Sequence, residues 1–74
     1  MAMASQSCSV ESIGETAGIV WHTLNENGPL TITKLVDESG APKDLAMLAL
    51  GWLAREGKIT IEETGRKKIV ALRD

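Results

Sequence analysis

The stretch "ALGWLAREGKITIEETGRKKIVAL", residues 49–72, decides the fold of this chain. It begins inside a segment, residues 43–56, in which nearly every residue favours a helix. Gly57 follows directly, and glycine commonly ends a helix because it tolerates a left-handed backbone. The sequence therefore predicts a long helix, helix 3, that stops at Gly57.

The residues after Gly57 have the pattern of a β-hairpin. Residues 58–62 alternate apolar and polar side chains, and residues 68–72 do so more loosely. Residues 64–66, Thr-Gly-Arg, lie between them as a hairpin turn that contains glycine. We therefore expect two antiparallel strands after helix 3.

The apolar residues of helix 3 are predicted to share one face. At about 100° per residue, a central apolar stripe is formed by Ala46, Ala49, Leu50 and Leu53. This arc is widened on one side by Leu45, Leu48 and Trp52. The other side carries Lys43, Asp44, Met47, Gly51, Ala54 and Arg55. Leu50 and Leu53 are accordingly expected in the core.

Two shorter helices are predicted before helix 3. Residues 10–25 have apolar side chains at helical spacing, with Ser9 or Ser12 as the cap, and Pro29 cannot continue that helix. Residues 30–32 read as a short β-like segment. Thr33 is then the expected N-cap of a helix of about two turns, which closes at Gly40 before a turn at Pro42.

This order of elements is the plan of a winged helix-turn-helix. It predicts an α+β domain with three helices, a short strand between helices 1 and 2, and a C-terminal β-hairpin wing. Within it, "ALGWLAREGKI" resembles a family of small stand-alone bacterial winged helix-turn-helix domains of unknown function, over about residues 10–73. The resemblance implies a DNA-binding or transcription-associated module, although this fold also occurs in RNA binders and protein-interaction modules.

Length and composition favour one small domain in a reducing compartment. The chain has 74 residues and a single cysteine, Cys8, so it has no internal disulfide, and we expect a cytoplasmic protein. We assign residues 9–74 to the domain and residues 1–8 to a disordered tail. No apolar run reaches the roughly 18 residues of a membrane span, and the N-terminus lacks the pattern of a secretory signal. No membrane partner is expected.

Enzymatic function is not expected. His22, the only histidine, falls on the solvent side of helix 1, and Cys8 lies in the predicted tail, so the two are poorly placed to form a nucleophilic pair. One cysteine and one histidine do not supply a four-ligand zinc site. No glycine-rich phosphate loop is present. We predict no catalytic residue, metal site, cofactor or small-molecule ligand.

The candidate nucleic-acid-binding residues are cations in the C-terminal half of the chain. Residues 1–42 carry one lysine against five acidic residues, whereas residues 43–74 carry seven basic residues against five acidic ones. Basic side chains bind the phosphate backbone of duplex DNA without reading its sequence. The candidates are Lys43, Arg55, Arg66, Lys67 and Lys68. The alternative is a solubilising hairpin whose cations guard a strand edge.

The outward side of helix 3 favours a second function, which is protein interaction. Specific base reading needs Arg, Lys, Asn or Gln near the start of a recognition helix, but here Asp44 stands beside the one suitable residue, Lys43. Exposed apolar patches often mark interfaces. The candidate interface residues, for a homodimer above all, are Ile19, Met47, Leu48 and Trp52. For Trp52 the alternative is ordinary core packing beneath the wing.

Overall fold

The predicted winged helix-turn-helix is confirmed by a computed structural model, which describes residues 9–73. The predicted disordered tail, residues 1–8, therefore lies outside the described residues, as does Asp74. The elements follow the expected order: α1 Val10–Asn27, β1 Leu30–Thr31, α2 Ile32–Ser39, α3 Lys43–Arg55, β2 Ile59–Thr64 and β3 Lys67–Leu72. The strands form one antiparallel sheet in the order β1-β3-β2, so the short β1 pairs with the second strand of the hairpin.

The core lies between α1, α3 and the inner face of the sheet. The predicted stripe of α3 is buried, with Leu50 and Leu53 exposing only 3% and 4% of their surface. The largest fully buried side chains come from α1, α2 and β3: Leu24, Leu35, Val20 and Val70. Val10, which shares the apolar stripe of α1, is 69% exposed because it stands at the first residue of the helix, beyond its packing partners.

The caps of the first two helices correct the sequence prediction. Ser9 caps α1, since its hydroxyl accepts a hydrogen bond from the backbone N–H of Ser12 at 3.1 Å. For α2, the prediction of Thr33 as N-cap was wrong. Thr31 is the cap, with its hydroxyl accepting from the N–H of Lys34 at 3.2 Å. The chain therefore passes from β1 into α2 without a connecting loop, and Ile32 is helical rather than extended.

The register of the hairpin determines which side chains share a face of the sheet. Ile61 pairs with Val70 and Glu63 pairs with Lys68, whereas Thr64 pairs with Lys67. Because successive residues of a strand point to opposite faces, Lys67 and Lys68 lie on different faces. A two-residue turn joins β2 to β3, and its first residue has a φ of 61°, which favours the glycine found there. Among residues 9–73, no helix is long and apolar enough to span a membrane.

Candidate nucleic-acid interface

A groove of about 620 Å³ lies between the first turn of α3, the first turn of α2 and the tip of the wing. We call it the wing groove. Its basic lining comes from Lys43, Arg66, Lys67 and Lys68, with Met47 beside them. The rest of the lining is Thr31, Ile32, Thr33 and Val36. Four of the five cations predicted to bind nucleic acid thus meet in one concave surface, although the sequence separates Lys43 from Arg66 by more than twenty residues.

Two local features assemble the wing groove. The pairing of Thr31 with Ile69 places the first turn of α2 beside β3, next to the basic residues of the wing. The left-handed Gly40, with a φ of 73°, then ends α2 and allows the chain to turn into α3. Lys43 is consequently the first residue of α3 and stands at the open end of the groove.

The cations of the wing groove are not equally available to a ligand. The Nζ atom of Lys68 lies 3.6 Å from a carboxylate oxygen of Glu63, its partner across the hairpin. Within residues 9–73, Lys43, Arg66 and Lys67 have no ion-pair partner within 4.0 Å. All four side chains belong to exposed residues. Three cations are therefore electrostatically uncompensated, and Lys68 is partly compensated.

Arg55, the fifth candidate cation, is not part of the wing groove. It is the last residue of α3, whereas Lys43 is the first. Twelve residues of helix separate them, a distance of about 18 Å at 1.5 Å per residue. The structure therefore places Arg55 at the opposite end of the helix from the other four.

The candidate interface residues occupy several faces. Met47 and Leu48 are 43% and 45% exposed on α3, and Met47 also lines the wing groove. Ile19 is 47% exposed on the side of α1 that faces away from the core. Trp52 is half-buried and packs against the core, as the alternative reading of that residue expected.

A second groove, which the sequence did not predict, runs between α1 and the end of α3. It measures about 590 Å³ and is lined by both tryptophans, Trp21 and Trp52, with His22 at its side. The ring of His22 contacts that of Trp21 edge to face, with centroids 5.5 Å apart. Within the described part of the chain, no cluster of three or more His, Cys, Asp or Glu residues is suited to hold a metal ion.

The chain belongs to the winged helix-turn-helix domain family DUF2582, whose model matches residues 3–72. It is also similar to the uncharacterised protein MJ1608 of Methanocaldococcus jannaschii. The two are 36% identical over 63 residues, which cover 82% of this chain and 90% of that protein. Because this relative is archaeal, the comparisons do not confirm the bacterial origin that the resemblance implied.

Two solved structures share the fold. The solution NMR structure of protein BT2368 from Bacteroides thetaiotaomicron superposes with a TM-score of 0.76 and 35% identity, over 84% of this chain and 76% of that one. A structure of HOP2 superposes with a TM-score of 0.64 and 33% identity, over 78% of this chain and 98% of that one. The HOP2 work describes DNA recognition and protein interaction domains and homologous DNA pairing.

Proposed function

We propose that the protein is a non-enzymatic, cytoplasmic DNA-binding module with low intrinsic sequence specificity. The observation that carries this proposal is the convergence of Lys43, Arg66, Lys67 and Lys68 on the wing groove. Cations on two separate elements can contact successive phosphates and release their counterions, which is the main source of non-specific DNA affinity. The threonines of the same groove supply hydroxyl groups that can donate hydrogen bonds to phosphate oxygens.

Low specificity follows from the residues exposed on α3. Base edges in the major groove are distinguished by side chains such as Arg, Asn and Gln. Asp44, Leu48 and Gly51 are exposed on α3 and have no such group, and Asp44 repels phosphate near the helix start. The contacts that remain are therefore made to the DNA backbone, which positions a protein without reading sequence. The likeness to HOP2, for which DNA recognition is described, supports this class of function.

The proposal is tested by DNA binding of two charge-matched double variants of the same hairpin. Arg66→Ala with Lys67→Ala removes two cations from the wing tip. Lys58→Ala with Arg73→Ala removes two from its base, where Lys58 and Arg73 line the other groove. Affinity for mixed-sequence duplex DNA is measured by fluorescence anisotropy across a salt series, with folding checked by circular dichroism.

We expect the tip variant to lose affinity equally for all sequences and to reduce the salt slope by about one unit per lost phosphate contact, so about two units. The base variant should retain the wild-type slope. Equal losses in the two variants would show that only net charge matters, and would overturn the assignment of the wing groove. Tight, salt-insensitive binding to one sequence would contradict low specificity.

A second candidate function is protein interaction, favoured by the exposure of Met47 and Leu48 on a helix that otherwise buries its apolar residues. Large apolar side chains that are exposed together often belong to an interface. This function does not compete for the wing tip. Both functions can therefore reside in one chain.

A further inference from the structure

The exposed side of α3 carries a regular strip of four residues, which we call the outer strip: Asp44, Leu48, Gly51 and Arg55. Their spacing of four, three and four residues places them in line on one face of the helix. This face is opposite the buried stripe. The outer strip is thus a surface of its own, next to the wing groove but distinct from it.

The outer strip is complementary to itself when reversed. Its acidic residue, Asp44, lies in the first turn of α3, and its basic residue, Arg55, lies in the last. Asp44 and Arg55 are equally far from the middle of the strip, and so are Leu48 and Gly51. In an antiparallel pair of α3 helices related by a two-fold axis, Asp44 therefore stands level with Arg55 of the second copy, and Leu48 stands level with Gly51.

The local structure leaves these groups available for such a contact. Within residues 9–73, neither Asp44 nor Arg55 has an ion-pair partner within 4.0 Å. One carboxylate oxygen of Asp44 accepts a hydrogen bond from the N–H of Leu45 at 2.9 Å, which holds the carboxylate at the helix start. A Cβ atom added at Gly51 would meet no other atom within 4 Å, so the helix surface there is open.

We infer that the partner of the outer strip is a second copy of this chain, bound antiparallel through α3. This inference deepens the protein-interaction function and rests on it. In the dimer, each Leu48 fills the hollow over Gly51 of the other copy, and two Asp44–Arg55 pairs close the ends. A two-fold contact of this kind is the commonest form of self-association. The basic wing groove stays open, because Lys43 and Met47 lie to one side of the strip.

The test is a charge reversal that distinguishes this register from any other. Asp44→Arg alone sets Arg against Arg at both ends of the dimer, and Arg55→Asp alone sets Asp against Asp. Because each substitution acts twice in a two-fold dimer, we expect the dissociation constant to rise about tenfold in either single variant. The double variant restores opposite charges at both ends and should return to the wild-type dissociation constant.

Sedimentation equilibrium of the full chain over a concentration series measures these constants. The matched control exchanges the exposed ion pair of α2, with Lys34→Glu and Glu38→Lys, and should leave the dissociation constant unchanged. Circular dichroism confirms that every variant is folded. Binding of each variant to mixed-sequence duplex DNA is measured separately, so that loss of DNA binding is not confused with loss of pairing.

Three results would overturn the inference. A wild type that stays monomeric at NMR concentrations would remove both the inference and the homodimer form of the protein-interaction function. A dimer that the single variants weaken and the double variant does not rescue would pair in another register. A monomer whose Leu48 and Gly51 amide signals shift on addition of duplex DNA would make the outer strip a DNA surface. None of the three bears on the wing-tip result.

Discussion

The wing groove and the outer strip are neighbouring surfaces built partly from the same helix, yet their chemistry differs. Lys43 and Met47 line the groove, whereas Asp44 and Leu48, the residues that follow each of them, belong to the strip. The groove gathers charges of one sign from α3 and the wing. The strip alternates an acid, apolar surface and a base along a single helix. A one-residue step around the helix thus separates a surface suited to phosphate from one suited to another copy of itself.

This difference shows why the fold alone does not locate the DNA contact. In many helix-turn-helix proteins the second helix of the motif reads base edges. Here the corresponding helix has a glycine and a leucine at the centre of its exposed side, while the cations stand at its first residue and on the hairpin. The contribution of α3 to DNA binding is therefore expected at its start rather than along its length.

The largest effect should come from breaking the core that holds both surfaces in place. Leu53→Ala removes a side chain that is 4% exposed and should lower the free energy of unfolding by about 2–5 kcal/mol. Leu48→Ala, at the 45% exposed leucine of the same helix, should change it by about 0.5 kcal/mol or less. Thermal unfolding followed by circular dichroism at low protein concentration compares the two. Equal losses would mean that α3 is turned differently from our description.

Met47→Glu should sharpen the comparison by placing an acid in the wing groove. The carboxylate would face bound phosphate and reduce affinity for duplex DNA roughly fivefold, or about 1 kcal/mol. Met47→Gln has the same shape without the charge and is the matched control, expected to bind like the wild type. If both variants bind DNA equally, Met47 does not border the phosphate site.

Gly51→Ala should separate stability from pairing. Alanine is favoured over glycine inside a helix, so the monomer should gain roughly 0.5–1 kcal/mol, provided that the added methyl group meets no neighbour, as the structure indicates. The same methyl group should weaken self-association, because it partly fills the hollow for Leu48. Gly18→Ala in α1 is the control: it should give a similar gain in thermal stability with no change in sedimentation.

The smallest effect is expected from the acid that compensates one cation of the wing groove. Glu63→Gln removes the partner of Lys68 and should raise DNA affinity about twofold, since exposed ion pairs are weak. Glu62→Gln removes the same charge from the other face of the hairpin and tests whether position matters. A larger gain from Glu62→Gln would place the bound DNA on the opposite face of the wing.

Sequence patterns predicted the elements well because each carries a local signal. The long apolar period of α3, Gly57 and the alternating hairpin give its fold, and Leu50 and Leu53 are buried as predicted. The cap of α2 was misplaced because Thr31 and Thr33 are chemically equivalent candidates. Only the pairing of β1 with β3 distinguishes them, and that pairing joins residues almost forty positions apart.

The site was predicted as residues but not as a surface. Charge clustering identified Arg66, Lys67 and Lys68, and helical spacing identified Lys43 as outward. Their convergence, the exclusion of Arg55 from the groove and the groove between the two tryptophans all depend on how α2 and the wing pack together. No short-range pattern in the chain reports that packing. The strip of α3 was within reach of helical arithmetic, because it needs only the order of residues along one helix.

The most direct test of the account is a residue-resolved NMR titration of the full chain with mixed-sequence duplex DNA at low and high salt. We predict amide shifts at Lys43 and at Arg66 to Lys68 that fade as salt rises, with Leu48 and Gly51 unaffected by DNA. Shifts centred on Leu48 and Gly51 that persist at high salt would contradict the account, and so would the absence of any shift at low salt.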